Sequence, residues 1–175
     1  MSFLTRLFGR REPRDALQPL YRMVVARARD PQWYTQGAVP DTQDGRFDMI
    51  AAILALILLR LENEGDAFGP QSALLAELFI EDMDGQLREL GVGDIVVGKH
   101  IGKMMGALGG RLAAYRDGFK SDGDARESLL RNLYRGTEPD DDAVNYSVTR
   151  LEQFSAALAE TPGADIIAGT VPELP

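Results

Sequence analysis

The sequence has 175 residues, of which 45% are hydrophobic and 26% are charged, and its formal net charge is −8. This composition predicts one soluble globular domain with a core of its own. The chain has no cysteine and a single histidine, His100, which excludes disulfides and thiolate metal sites and leaves imidazole-based catalysis almost without residues to carry it. We therefore predict no catalytic, metal-binding or cofactor-binding residue.

The charge is distributed unevenly along the chain. Residues 1–29 contain seven Arg against Glu12 and Asp15, a net charge of +5, so that the rest of the chain carries −13. An acidic body argues against nucleic-acid binding, and no direct nucleic-acid readout is expected. Segment 1–14, MSFLTRLFGRREPR, has too short an apolar run for a secretory signal. We interpret it as a basic amphipathic segment that either frays or makes weak contact with an anionic membrane surface.

Apolar residues recur at steps of three and four along most of the remaining chain, which is typical of amphipathic helices. The predicted helices span 15–29, 46–64, 71–90, 94–119, 124–134 and 142–160. Asp44 and Asp94 are predicted N-caps. The connection 30–46 contains Trp33 and Tyr34 and is long enough to be functional or to be packed by its own aromatic side chains.

The most apolar stretch, residues 49–59, has 11 residues and is apolar on all sides. It is too short for a bilayer, which needs about 20 residues, and is typical of a helix surrounded by other helices. The expected fold class is all-α: a single compact bundle of about six helices, with a central apolar helix and flexible termini. Residues 15–160 form the predicted helical domain, and 161–175 a loosely ordered tail.

A motif of the form G-x-x-x-x-G-K runs from Gly93 to Lys99 and matches most of a P-loop. A P-loop follows a strand, and a Ser or Thr after its Lys holds Mg²⁺. Here residues 71–90 are predicted as a helix, and His100 follows Lys99. Because Mg²⁺ prefers oxygen ligands, an imidazole at this position does not indicate nucleotide binding. The glycines need another explanation.

A stripe of small residues runs along the helix predicted over 94–119, about a third of a turn from its apolar side. Its members are Gly98, Gly102, Gly106, Gly109 and Ala113. Each Gly inside a helix costs about 1 kcal/mol relative to Ala, so that a row of them indicates close approach by another backbone. The more ordinary explanation is a helix of the same fold. The alternative is a segment of a partner protein, with Lys99 and Lys103 alongside.

Four carboxylates, Glu77, Glu81, Asp82 and Asp84, lie near one another on the helix predicted over 71–90. A di-iron centre would need a Glu-x-x-His pattern on two helices, which the sequence lacks. We therefore interpret the cluster as a solvated acidic face.

Four segments between Tyr21 and Tyr115 carry a recognisable pattern. They are YRMVVARARDPQWY, VPDTQDGRFDM, LFIEDMDGQLRELGVGDIVVGKHIGKM and GRLAAY. Together they resemble the ubiquinol–cytochrome c chaperone family, and the ordered string M-D-x-x-L-R-E-x-G-V-G-D-x-x-V-G-K is long and specific. The chain departs from the family at Ala52 and Ile53, where a Leu-His pair is common.

The resemblance implies a helical, non-enzymatic assembly factor or chaperone in the biogenesis of cytochrome b and the cytochrome bc1 complex. It implies a protein client, cytochrome b or another bc1 subunit, and a second assembly factor as a further partner. The expected location is the cytoplasm, peripheral to the inner face of the membrane. The alternative is a general membrane-peripheral interaction module that is not specific to bc1. The candidate partner-binding residues are Asp41, Arg46, Arg88, Gly91, Gly93, Asp94, Gly98, Lys99, Gly102, Lys103, Gly106 and Gly110.

Overall fold

The computed structural model describes residues 12–89 and 94–174, which form helices joined by connections, with no strand among them. Six helices in these ranges have eight or more residues, and two are shorter. In chain order they are α1 (Glu12–Ala28), α2 (Gln32–Thr35), α3 (Gln43–Glu62), α4 (Gly69–Glu89), α5 (Asp94–Gly118), α6 (Ala125–Asn132), α7 (Asp141–Glu160) and α8 (Gly163–Ile167), and a 3₁₀ turn (Gly65–Phe68) precedes α4. The predicted all-α class and the helix number are confirmed.

Helix α3 forms the centre of the bundle, as its apolar sequence predicts. Every residue from Met49 to Leu58 is buried, and α3 packs against α1, α4, α5 and α7. A helix that other helices surround needs apolar side chains on all its faces, which accounts for the absence of a polar side in this stretch. None of the helices in the described ranges combines the length and apolarity that crossing a bilayer requires.

The cap of α3 differs from the sequence prediction. Thr42, in extended conformation, is the N-cap residue, and its Oγ1 accepts a hydrogen bond from the Gly45 N–H at 3.1 Å. Asp44, the predicted cap, lies in the first turn and forms an ion pair with Arg135. Both residue types can cap a helix, and the choice depends on where the chain enters it. Gly45 fixes that entry, because a Cβ atom there would lie 1.9 Å from the Pro40 carbonyl oxygen.

The long connection before α3 is packed by its own aromatic residues. Trp33 on α2 is fully buried, and its Nε1 donates to the Arg27 carbonyl at 2.8 Å. Arg150 of α7 lies over the Trp33 ring at 4.6 Å and forms an ion pair with Asp30 at 2.7 Å. The Tyr34 hydroxyl donates to a carbonyl at the end of α1. These contacts hold the connection against α1 and α7.

The N-terminal boundary predicted at residue 14 lies inside α1. Helix α1 begins at Glu12, with Pro13 in its first turn. The fixed φ angle of Pro suits a first helical turn, so that Pro13 is compatible with its place in this helix. Arg14 forms an ion pair with Glu81 of α4. Residues 1–11, and with them most of the predicted amphipathic segment, lie outside the described residues.

The C-terminal tail differs from the loosely attached segment that we expected. Residues 163–167 form α8, which packs on α1, and Ile166 and Val171 lie in the core. A Cβ atom on Gly169 would contact Pro19 at 3.3 Å, which shows how closely the tail follows α1. A helix of five residues is too short to produce a readable periodicity, and this is why the sequence pattern did not reveal it.

Candidate partner-binding surface

Helix α5 carries most of the predicted partner-binding residues, and its apolar side faces the core. Leu108 and Tyr115 are buried, and Met104, Leu112 and Phe119 are partly buried against the core. This side packs against α3, α4 and α6. The predicted apolar stripe is therefore confirmed for the residues from Met104 onwards.

The glycines of α5 face outward. Gly102, Gly106, Gly109 and Gly110 are exposed, and a Cβ atom added to any of them would meet nothing within 4 Å. No described helix packs on these four residues, so the more ordinary explanation of the stripe, packing by another helix of the same fold, is wrong for its members Gly102, Gly106 and Gly109. By contrast, a Cβ atom on Gly118, at the end of the same helix, would lie 2.2 Å from the Ser128 Oγ. Close packing thus explains the last glycine of α5 and none of these four.

The outward side of α5 also carries a lysine and a methionine. Lys103 is exposed, and no carboxylate among the described residues forms an ion pair with it. Met105 is 47% exposed, and among the described residues it is the one large hydrophobic side chain that is exposed. We call this surface the α5 face; it consists of Gly102, Lys103, Met105, Gly106, Gly109, Gly110 and Ala113. It contains no acidic residue, although the chain as a whole is acidic.

A cleft of about 360 Å³ adjoins the α5 face, between α5, the start of α3 and α4. We call it the α5 cleft. Its apolar lining consists of Phe47, Met83, Met104 and Ala107. Its charged lining consists of Lys103, Arg135 and Asp44, and Gln43 and Gln86 complete the lining. Lys103 therefore belongs both to the α5 face and to the rim of the cleft.

A buried ion network supports the walls of the cleft. Asp48, fully buried, accepts hydrogen bonds from Arg111 of α5 and from the Arg135 Nε at 2.5 Å. Burial raises the pKa of Asp48, while the hydrogen bonds and charges of the two guanidinium groups act in the opposite direction. Arg111 also lies over the Phe47 ring at 5.4 Å. The network thus joins α3, α5 and the connection between α6 and α7.

Arg135 reaches this network from an unusual backbone conformation. Its φ angle is +54°, and Gly136 follows at +77°. A non-glycine residue in this region costs about 1–2 kcal/mol, which the surrounding contacts must offset. Arg135 makes three such contacts, two to Asp48 and one to Asp44 at 2.8 Å.

The other predicted partner-binding residues are not brought together with the α5 face. Asp41 and Arg46 form an exposed ion pair at 2.7 Å, and the hydrogen bond from Arg46 lowers the pKa of Asp41. This pair lines a separate depression of about 430 Å³ beside Tyr34. Arg88, near the end of α4, forms an ion pair with Asp84 at 2.8 Å.

The remaining predicted residues lie wholly or partly outside the described residues. Gly91 and Gly93 fall in the gap at 90–93. The backbone of Asp94, Gly98 and Lys99 belongs to α5, but nothing is described of their side-chain surroundings. Helix α4 runs to Glu89 ahead of this segment, where a P-loop would have a strand.

Three of the four carboxylates in the acidic cluster of α4 make contacts within the protein. Glu81 forms an ion pair with Arg14, and Asp84 forms one with Arg88. Asp82 accepts a hydrogen bond from the Tyr21 hydroxyl at 2.7 Å, and burial together with this contact raises the pKa of Tyr21. The prediction of a solvated acidic face is therefore wrong for Asp82, which links α4 to α1. Within the described ranges no group of three or more His, Asp or Glu side chains is placed to hold a metal ion.

Sequence reasoning missed the network around Asp48. One signal was available, because Asp48 directly precedes a stretch that is apolar on all sides, and a carboxylate at such a position is rarely buried without a cationic partner. That signal predicts a partner for Asp48 without identifying it. Arg111 and Arg135 are 63 and 87 residues away along the chain.

Comparison with known proteins places this fold in a family. A family model described as ubiquinol-cytochrome C chaperone matches residues 35–173. The crystal structure of the Cbp3 homolog from Brucella abortus matches with a TM-score of 0.81 at 30% sequence identity, covering 99% of this chain and 97% of that one. No curated protein matches the chain. Since the family model covers far more than half of the sequence, the chain belongs to the ubiquinol–cytochrome c chaperone family.

Proposed function

We propose that this protein is a non-enzymatic assembly chaperone of the cytochrome bc1 complex, and that it holds a newly made subunit of that complex on the α5 face. Membership of the ubiquinol–cytochrome c chaperone family supports the general role, and so does the match to a Cbp3 homolog. By the resemblance, the client is cytochrome b or another bc1 subunit.

The single observation that supports the α5 face as the client site is the open space around its glycines. Each interior glycine costs the helix about 1 kcal/mol relative to alanine. No part of the described structure packs against Gly102, Gly106, Gly109 or Gly110, so internal packing offers no compensation. Glycines on a helix surface let a second helix approach closely, as in membrane helix pairs. A client with membrane-spanning helices would use such a surface before it inserts.

The charge of the α5 face fits the same role. Lys103 is the single charged residue of this face, and no carboxylate among the described residues forms an ion pair with it. An acidic side chain or the C-terminal end of a client helix would pair with this ammonium group. We further propose that the protein acts in the cytoplasm at the inner face of the membrane. There the basic residues of segment 1–14 contact anionic lipid, and a second assembly factor takes part.

A general membrane-peripheral interaction module is the competing function. It would use the same exposed surface, but it would serve many membrane proteins. The two functions differ in the complexes that depend on the protein.

Deletion of the gene separates these functions. The amount of assembled bc1 complex, measured by native electrophoresis and by cytochrome b absorbance, is compared with that of the other respiratory complexes. Assembly chaperoning predicts selective loss of bc1 that a wild-type copy restores. Equal losses across several membrane complexes would support the general module, and normal bc1 levels would contradict the proposed function.

A further inference from the structure

We propose that the α5 cleft is an anchor pocket that takes one large apolar side chain of the client segment, while an acidic side chain of the same segment pairs with Lys103. This inference rests on the proposed function and specifies the chemistry of the segment that is bound. It stands on the cleft and its charges and does not depend on the glycines.

The walls of the cleft suit an apolar side chain. Phe47, Met83, Met104 and Ala107 supply apolar surface from three helices, and the volume of about 360 Å³ lies in the range of about 300–1,000 Å³ that ligand pockets have. Phe47 is held from behind, because its ring packs on Phe79 at 5.3 Å. Methionine side chains adapt to ligands of different shape, which suits a chaperone that meets an unfolded client.

The rim of the cleft favours a negative charge. It carries Lys103 and Arg135 against one carboxylate, that of Asp44. Asp44 already pairs with Arg135 at 2.8 Å, and the Arg135 guanidinium also donates to Asp48 beneath it. Lys103 is left without a carboxylate among the described residues. A carboxylate from outside would therefore meet an unpaired ammonium group, whereas a lysine would be repelled.

A protein segment fits this combination better than a lipid does. At about 360 Å³, with four apolar side chains in its lining, the cleft accepts a large apolar side chain. Its rim residue Lys103 also belongs to the α5 face, which gives a helix a surface to lie along. On a helical segment, an apolar residue and an acidic residue three or four positions apart lie on one face and reach the cleft and Lys103 together.

The test measures binding of labelled helical peptides to the full-length protein by fluorescence anisotropy. The probe is an alanine-based peptide with Phe and Glu four residues apart. A second peptide has Lys in place of the Glu, and a third has Ala in place of the Phe. The protein variants are Ala107→Leu, which fills the cleft, and Lys103→Glu. Their matched controls are Ala156→Leu on the exposed side of α7 and Lys120→Glu beyond the end of α5.

The proposal predicts that the Phe/Glu peptide binds the wild type at least about tenfold more tightly than the other two, a difference of about 1.4 kcal/mol. Ala107→Leu and Lys103→Glu weaken this binding about tenfold or more, and Lys103→Glu shifts the preference toward the Lys peptide. The two control variants bind like the wild type. No binding by the wild type, or equal losses in the variants and their controls, would overturn the anchor pocket.

Two further outcomes are decisive. In the first, phosphatidylglycerol vesicles compete with the Phe/Glu peptide for the wild type, and this competition disappears in Ala107→Leu. That result would assign the cleft to lipid and overturn the proposal. Normal bc1 assembly in a strain that carries Ala107→Leu would overturn the pocket alone, because the proposed function fails only if the deletion strain also assembles bc1 normally.

Discussion

Arg135 and Asp48 are 87 residues apart in sequence, and the Arg135 Nε lies 2.5 Å from the Asp48 Oδ2. Asp48 is fully buried near the start of α3, and Arg111 of α5 binds its other oxygen. A buried carboxylate is stable only when its oxygens are hydrogen-bonded. The pair therefore fixes the connection between α6 and α7 against α3, beside the α5 cleft.

Asp48→Ala should lower the free energy of unfolding by about 3–5 kcal/mol, because it leaves the Arg111 guanidinium buried without its carboxylate. Urea denaturation followed by circular dichroism measures the loss. Glu127→Ala is the control, since Glu127 forms an exposed ion pair with Arg131 on α6 and its loss should cost about 1 kcal/mol or less. Equal effects of the two changes would show that the Asp48 network does not hold the fold together.

Gly102→Ala and Gly106→Ala should each raise the free energy of unfolding by about 0.5–1 kcal/mol. Alanine favours the helix over the unfolded chain, and the added methyl group meets open space. Gly45→Ala should do the reverse, because its Cβ atom would lie 1.9 Å from the Pro40 carbonyl oxygen. Denaturation midpoints of the three variants measure these changes in stability. A loss of stability in Gly102→Ala would mean that the α5 face is covered in the isolated protein.

Asp30 should make stability depend on pH in acid. Burial raises the pKa of Asp30, but the hydrogen bonds from the Gln32 N–H and from Arg150 outweigh it and hold the pKa below its usual value. The stabilisation is therefore fully present above the unfolded pKa of about 3.9 and is lost as the pH falls through the folded pKa.

Asp30→Asn should thus be less stable than the wild type at pH 7, and the difference should shrink below about pH 4. The fluorescence of Trp33, the single Trp of the chain, reports unfolding in both proteins. Trp33 lies close to the substituted site, because Arg150 contacts both Asp30 and the Trp33 ring. A difference that stays constant between pH 7 and pH 3 would show that this carboxylate is not responsible.

Ile166→Ala should cost about 2–4 kcal/mol, because Ile166 is fully buried and its loss leaves a cavity under the tail. Ile167→Ala, one residue further along the same short helix, removes the same atoms from a partly exposed site and should cost clearly less. Thermal unfolding compares the two. Similar small losses would restore the original expectation of a loosely attached tail.

The sequence alone identified the elements that depend on local pattern. Residues 49–59 are apolar on every side, and only a position at the centre of a helical bundle satisfies that pattern. The stripes of α5 were equally readable, because a period of 3.6 residues places each residue on a definite face.

The sequence pattern could not show which side of each helix faces the core and which faces outward in the folded protein. The glycine stripe lies about a third of a turn from the side of α5 that packs on α3, and only the arrangement of the helices shows that no other described element covers it. The partners of Asp48 come from α5 and from beyond α6, so that no local pattern connects them. Asp44 and Thr42 are both good caps, and the path of the chain around Pro40 selects Thr42.

The most direct measurement is site-specific photo-crosslinking in living cells that make the bc1 complex. A photoreactive residue replaces Gly106 on the α5 face in one strain and Ala156 on the exposed side of α7 in another. The crosslinked products are identified by mass spectrometry. Our account predicts that position 106 captures cytochrome b or another bc1 subunit and that position 156 does not. Capture of these subunits only at position 156, or at neither position while the protein still supports bc1 assembly, would contradict the α5 face as the client site.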